Sequence, residues 1–269
     1  MGSSGCCFRR WLAYRACSSR EIPAQGAVLA LSMHVISAQN LVVEFPMYAA
    51  AHRSLKKTVL HASTGGRIAQ DARARVTVRA LDGISFVINS GDRVGLVGHN
   101  GSGKTTLLRV LAGAYEPVVG KLEIFGRVAS LLDIAMGMDN DATGYENIVL
   151  RGIMMGLSPT EMRTRVEEIG EFSELGEYLD MPVRTYSAGM QMRLAFAVST
   201  SISADILLMD EWLSVGDAQF NEKASKRLDA IIAQSKALII ASHSPELISK
   251  LCNRGIRLQH GRLEEEFAP

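Results

Sequence analysis

The segment Gly98-His99-Asn100-Gly101-Ser102-Gly103-Lys104-Thr105 carries the plainest chemistry in this 269-residue sequence. It fits G-x-x-x-x-G-K-[ST] completely, and it lies between the apolar run Val94 to Val97 and the helical pattern Thr106 to Leu111, the context such a loop needs. Glycines let backbone N–H groups turn inward on phosphates, and the helix that follows adds the positive end of its dipole. Lys104 is then aimed at the β and γ phosphates and Thr105 at Mg²⁺. Downstream, the apolar run Ile206 to Met209 delivers Asp210 and Glu211 at the carboxyl end of a strand, where open α/β sheets place their chemistry. Asp210 suits the Mg²⁺ shell, and Glu211 is placed to act as general base for an attacking water.

Elements of definite kinds must position these groups. Val94 to Val97, Ile206 to Met209 and Ala237 to Ile240 read as buried strands followed by helical segments, which predicts a parallel sheet covered by helices. Ahead of them, Val35-Ile36, Leu41 to Phe45, Val76 to Val78 and Ile84 to Ile88 are rich in β-branched residues and predict an antiparallel patch. Ala49 to Arg75, with its breaker Thr64-Gly65-Gly66, reads as an excursion holding a short helix. Tyr145 to Ser201 has no strand run. Its breaks at Gly156-Leu157-Ser158-Pro159 and Met181-Pro182 predict a helical insert.

Composition narrows the function classes. Hydrophobic residues make up 47% and charged residues 21%, as in an ordinary globular chain. The formal charge of +1 supplies no bulk attraction for nucleic acid or anionic lipid. Cys6, Cys7, Cys17 and Cys252 form neither a disulfide framework nor a metal motif, and no run reaches the roughly 18 apolar residues of a spanning helix. Arg9, Arg10, Arg15 and Arg20 ahead of the apolar Ala27 to Leu31 raise a targeting leader, which the Pro and Glu at the junction disfavour. Residues 1–32 are therefore expected to be a disordered or misannotated extension, with Met33 as the natural start of a single domain over 33–269. The helical subdomain is expected at about 134–201.

Tyr186-Ser187-Ala188-Gly189-Met190, just ahead of a helical run and shortly before Asp210, resembles the signature of ABC transporter ATPases. The Tyr and Met at its ends, and Trp212 after Glu211, resemble the branch that exports O-antigen, capsule or teichoic acid. The resemblance covers roughly residues 34–262. It implies an α/β fold with a RecA-like P-loop core, an antiparallel β subdomain and a helical insert carrying the signature. It implies ATP and Mg²⁺ as ligands, with Gly98 to Thr106, Ser187, Gly189 and Asp217 on the nucleotide. His243 matches the switch histidine, and Asp133 falls at the Q-loop position, counted back from Glu146-Asn147, where it would meet Mg²⁺ and water. Tyr48 is the candidate aromatic for stacking on adenine, with Phe45 the alternative.

The same resemblance implies ATP hydrolysis driving polysaccharide export, by two subunits that close head-to-tail under an integral membrane permease. The chain would sit at the cytoplasmic face of a bacterial inner membrane, touching the membrane only through that permease. A non-transport ABC protein acting as a nucleotide-gated scaffold is the alternative. Its usual marks, a long coiled coil or tandem cassettes, are not found in the sequence. A GTPase is disfavoured because Asp210 is followed by Glu-Trp-Leu and no Asn-Lys-x-Asp motif occurs.

Overall fold

The computed structural model describes residues 34–47, 68–70, 76–132, 134, 136–212 and 217–269. The extension 1–32 and most of the 49–75 excursion lie outside the described residues. Strands β1 (His34–Met47), β2 (Ile68–Gln70), β3 (Val76–Asn89) and β5 (Val119–Ile124) form an antiparallel sheet in the order β2-β3-β1-β5. The two strand pairs expected near the amino end are each one long strand. Asn40, at φ 49, sits where the β1–β3 register shifts, and its N–H donates to Ser85 Oγ at 2.8 Å, so the polar break in the pattern is a bulge inside a continuous strand. Within the excursion, 68–70 is a strand pairing with β3 rather than part of a helix.

The second sheet holds β4 (Arg93–Val97), β6 (Val128–Ser130), β7 (Ile206–Asp210), β8 (Ala237–Ala241), β9 (Arg254–Gln259) and β10 (Arg262–Phe267). Its order is β10-β9-β4-β8-β7-β6, parallel except for the terminal β9–β10 hairpin. The central strands are buried on both faces, as a covered parallel sheet requires. Ile206, Leu208 and Ile239 pack toward the antiparallel sheet with Ile36, Leu41, Leu81 and Ile84. The alternating Leu207, Met209, Leu238 and Ile240 pack the other way, against Phe196 and Phe220.

Helix α1 (Lys104–Leu111) follows β4, and α6 (Ala218–Gln234) and α7 (Pro245–Leu251) follow β7 and β8. Between β6 and β7 lie α2 (Gly144–Met154), α3 (Pro159–Arg163), α4 (Val166–Ser173), two 3₁₀ turns at Gly176–Asp180 and Val183–Thr185, and α5 (Ala188–Ser199). Capping boxes start α2 (Thr143 with Glu146) and α3 (Ser158 with Glu161). Helix α5 is apolar on nearly all sides because it serves two cores: Ala195 and Phe196 face the parallel sheet, while Leu194, Ala197 and Val198 face Ile148, Ile169 and Leu179 of the helical layer. Helix α5 is thereby fastened to the parallel sheet.

Candidate functional site

The loop between β4 and α1 is shaped by backbone crowding. Gly98, Gly101 and Gly103 have φ of 148, 76 and 112, the region glycine tolerates. A Cβ on Gly98 would lie 2.3 Å from Leu258 O of β9, and one on Gly103 would lie 3.1 Å from Ala80 O of β3. The β9–β10 turn closes the loop from outside, since Gly261 N–H donates to Ser102 O at 2.8 Å and Gly261 O accepts from Asp82 N–H at 2.8 Å. Helix α1 begins without a side-chain cap, so its first N–H groups remain available to an anion.

Behind the loop, Lys104 is only 7% exposed and its ammonium donates to Gly98 O (2.7 Å) and His99 O (3.4 Å). Burial lowers its proton affinity, opposed by the charges of Asp210 and Glu211. An incoming polyphosphate favours the charged form by the same physics. Thr105 Oγ1 donates to Asp210 Oδ2 at 2.7 Å, so two hard oxygens from α1 and β7 stand side by side. Glu211, one residue beyond the strand, has φ 68; a left-handed Glu costs about 1–3 kcal/mol and is held by its surroundings. Its N–H donates to Ala241 O (2.8 Å), while its Oε1 accepts from His243 N–H (3.1 Å) and its Oε2 from Ser242 Oγ (3.2 Å). The ends of β7 and β8 thus lock the carboxylate.

A cavity of about 940 Å³ opens here. Asn100, Gly101, Gly103, Lys104, Thr105 and Thr106 line it together with Asp210, Glu211 and His243. Gly98, His99 and Ser102 shape the loop from outside that lining: the His99 ring packs against His260 (5.0 Å between centroids), and Ser102 is fully buried. Ser187, Gly189 and Asp217 line a separate groove of about 520 Å³. Ser187 caps α5 by accepting from Met190 N–H at 3.3 Å. Asp217 caps α6 through Phe220 N–H (2.9 Å) and pairs with Arg193 of α5 (2.5 Å). The capping N–H, then Arg193, holds its carboxyl below the usual carboxylate range. Met192 borders both spaces. Tyr48 and Asp133 lie outside the described residues. Phe45 packs edge-on against Tyr115, with ring centroids 5.1 Å apart.

Sequence reading missed three residues that organise the site. Asn147 is fully buried; its Oδ1 accepts from Asp139 N–H (2.8 Å) and its Nδ2 donates to Asp139 O (2.8 Å), Thr143 O (2.9 Å) and Ala142 O (3.3 Å). Arg151 bridges Met136 O, in a loop lining the cavity, to Ser199 Oγ on the signature helix (3.2 Å). Burial lowers its proton affinity. Arg79, from β3, also lines the cavity. The Glu-Asn pair was the only sequence signal for any of them.

A phosphate-gripping loop, a Thr–Asp oxygen pair and a locked carboxylate around one cavity define a P-loop nucleoside triphosphatase. The ABC transporter family model matches residues 81–214. The O-antigen export system ATP-binding protein RfbE of Yersinia enterocolitica is 49% identical over 228 residues, covering 85% of this chain and 95% of that protein. The O-antigen export system ATP-binding protein RfbB of Klebsiella pneumoniae is 36% identical over 231 residues, covering 86% and 92%. An ATP-binding cassette solved as a dimer in a post-hydrolysis state with ADP and Pi shares the fold at TM-score 0.62 and 20% identity, over 87% of this chain and 98% of that one. The chain belongs to the ABC transporter ATPase family. Among the described residues, no helix is long and apolar enough to cross a membrane.

Proposed function

We propose that this protein hydrolyses ATP to drive export of a cell-surface polysaccharide or lipopolysaccharide component through a separate membrane permease, at the cytoplasmic face of a bacterial inner membrane. The convergence of Lys104, Thr105, Asp210, Glu211 and His243 on one cavity carries the hydrolytic part. The O-antigen export names of the relatives matched along nearly their whole length support the substrate class. A teichoic acid export ATP-binding protein of Bacillus cereus, 35% identical over 232 residues and matched over 40% of its length, points the same way.

In this reading the loop N–H groups and the α1 N-terminus bind the phosphates, and Lys104 turns from Gly98 O toward the β and γ oxygens. Thr105 and Asp210 hold Mg²⁺; their paired oxygens fit a hard cation, and Asp133 is a third proposed ligand. When bound, the ion neutralises developing phosphate charge. Glu211 accepts the proton of the attacking water, and His243 contacts the γ-phosphate. The groove at Ser187, Gly189 and Asp217 faces a second subunit's nucleotide in a head-to-tail homodimer. Tyr48 stacks on adenine. The domain spans 33–269, with the helical subdomain at about 134–201.

Replacing Lys104 by Ala in the source bacterium tests the whole reading. Loss of the polymer from the cell surface, with finished polymer retained inside, is the expected result. Normal surface polymer alongside abolished ATPase activity would refute the export function and leave the nucleotide-gated scaffold.

A further inference from the structure

We propose that the guanidinium plane of Arg79 forms one face of the nucleobase pocket. This inference rests on the reading of the cavity as the ATP site. The phosphate end of the cavity is built from α1 and the ends of β7 and β8 in the parallel sheet. Leu131, Leu132, Ile134, Met136 and Met192 line one further side, and Val78, Arg79 and Ala80 of β3, in the antiparallel sheet, line another. Gly103 lies between the phosphate end and β3, in contact range of Ala80 O. A nucleotide with its phosphates on Lys104 and Thr105 extends its base toward that strand. Tyr48, proposed above to stack on adenine, takes the opposite face of the base in this arrangement, and Phe45 is engaged with Tyr115.

Arg79 is pre-set for this role. Its Nε donates to Glu44 Oε1 and its Nη1 to Asp82 Oδ1, both at 2.9 Å, so two carboxylates fix the orientation of the plane. Asp82 is itself held by Arg262 (2.6 and 2.8 Å). The Arg79 side chain nonetheless remains 41% exposed. A planar, delocalised cation stacks on a base face, whereas an ammonium at the same position does not, and a fixed plane loses little entropy on stacking. Stacking reads no base edge, so it acts on adenine and guanine alike. Arg109, the other arginine of the wall, is turned to Tyr115, with Nη1 3.4 Å from the hydroxyl.

The test is calorimetric binding of ATP, GTP and inorganic tripolyphosphate, with Mg²⁺, to the full chain and to its Arg79→Ala, Arg79→Lys and Lys104→Ala variants. Arg79→Ala and Arg79→Lys should each weaken ATP and GTP about tenfold or more, at unchanged tripolyphosphate affinity and unchanged melting temperature within a few degrees. Any one of four results overturns the inference: unchanged ATP affinity, equal loss of tripolyphosphate, rescue by Arg79→Lys, or a loss confined to one purine. Failure of the underlying reading looks different. In that case Lys104→Ala binds ATP as well as the unaltered chain does, or the unaltered chain binds none.

Discussion

Substituting Gly98 by Ala isolates the part of the phosphate loop that the fold itself demands. The added Cβ meets Leu258 O at 2.3 Å and Ser102 Oγ at 2.7 Å, and the first of these is backbone of β9, which is paired with β4 on one side and β10 on the other and so has little room to swing aside. The φ of 148 adds a conformational penalty of about 1–3 kcal/mol, and overpacking adds about 1–3 kcal/mol more. The sum is about 2–6 kcal/mol, a fall in melting temperature of roughly 4–24 °C at this size. Gly113→Ala is the matched control, because Gly113 also has positive φ (75) but nothing lies within 4 Å of its Cβ. It should cost about 1–2 kcal/mol. Calorimetry of the nucleotide-free proteins reads the difference directly. A Gly98→Ala protein that melts with the Gly113→Ala control would refute the argument and leave phosphate contact as the reason for the glycine.

Asn147→Ala should destabilise the helical layer by about 1–3 kcal/mol in urea unfolding, since the N–H and carbonyl of Asp139 both lose their partner, while Thr143 O and Ala142 O keep bonds from the Asn147 and Val183 N–H groups. An effect below about 1 kcal/mol would contradict that network. Burial raises the Cys252 thiol from 9.0 to about 11, so the folded state retains a proton that the unfolded chain releases. The stability this contributes is complete below pH 9 and is lost as pH rises toward 11. Relative to the unaltered chain, Cys252→Ala should flatten that alkaline decline; parallel curves would count against it. Thr105→Ala should leave tripolyphosphate binding without metal nearly intact while weakening the Mg²⁺ dependence of ATP binding, because it removes half of the oxygen pair with Asp210. An unchanged Mg²⁺ titration would move the metal elsewhere.

The phosphate loop and the strand-end carboxylates were legible in the sequence because their chemistry is local: eight consecutive residues, and two acids directly after an apolar run. The buried strands were legible for the same reason. What was illegible depends on pairing between distant segments. Arg79 becomes a fixed plane only because Glu44, 35 residues earlier, lies beside it across β1 and β3. Edge strand β5 has a half-exposed Val119 and no clean alternation, and owes its conformation to β1. The left-handed Glu211 follows from the lock between β7 and β8, which no local pattern records. Asp217, read only as a nucleotide contact, also caps α6 and ties it to the signature helix through Arg193.

The central claim is that Glu211 is the base of a nucleotide site completed by the Ser187 groove of a second copy. Glu211→Gln keeps an acceptor oxygen for the His243 N–H and can donate its NH2 to the Ser242 hydroxyl oxygen while removing the base, so hydrolysis should fall by roughly 10²–10⁴ with ATP still bound. Size-exclusion chromatography with light scattering, in ATP and Mg²⁺, is the direct measurement. Purified Glu211→Gln protein should run as a dimer, and adding Ser187→Arg should return it to monomer. A Glu211→Gln protein that binds ATP yet stays monomeric at every ATP concentration, or one whose dimer is indifferent to Ser187→Arg, would contradict the claim.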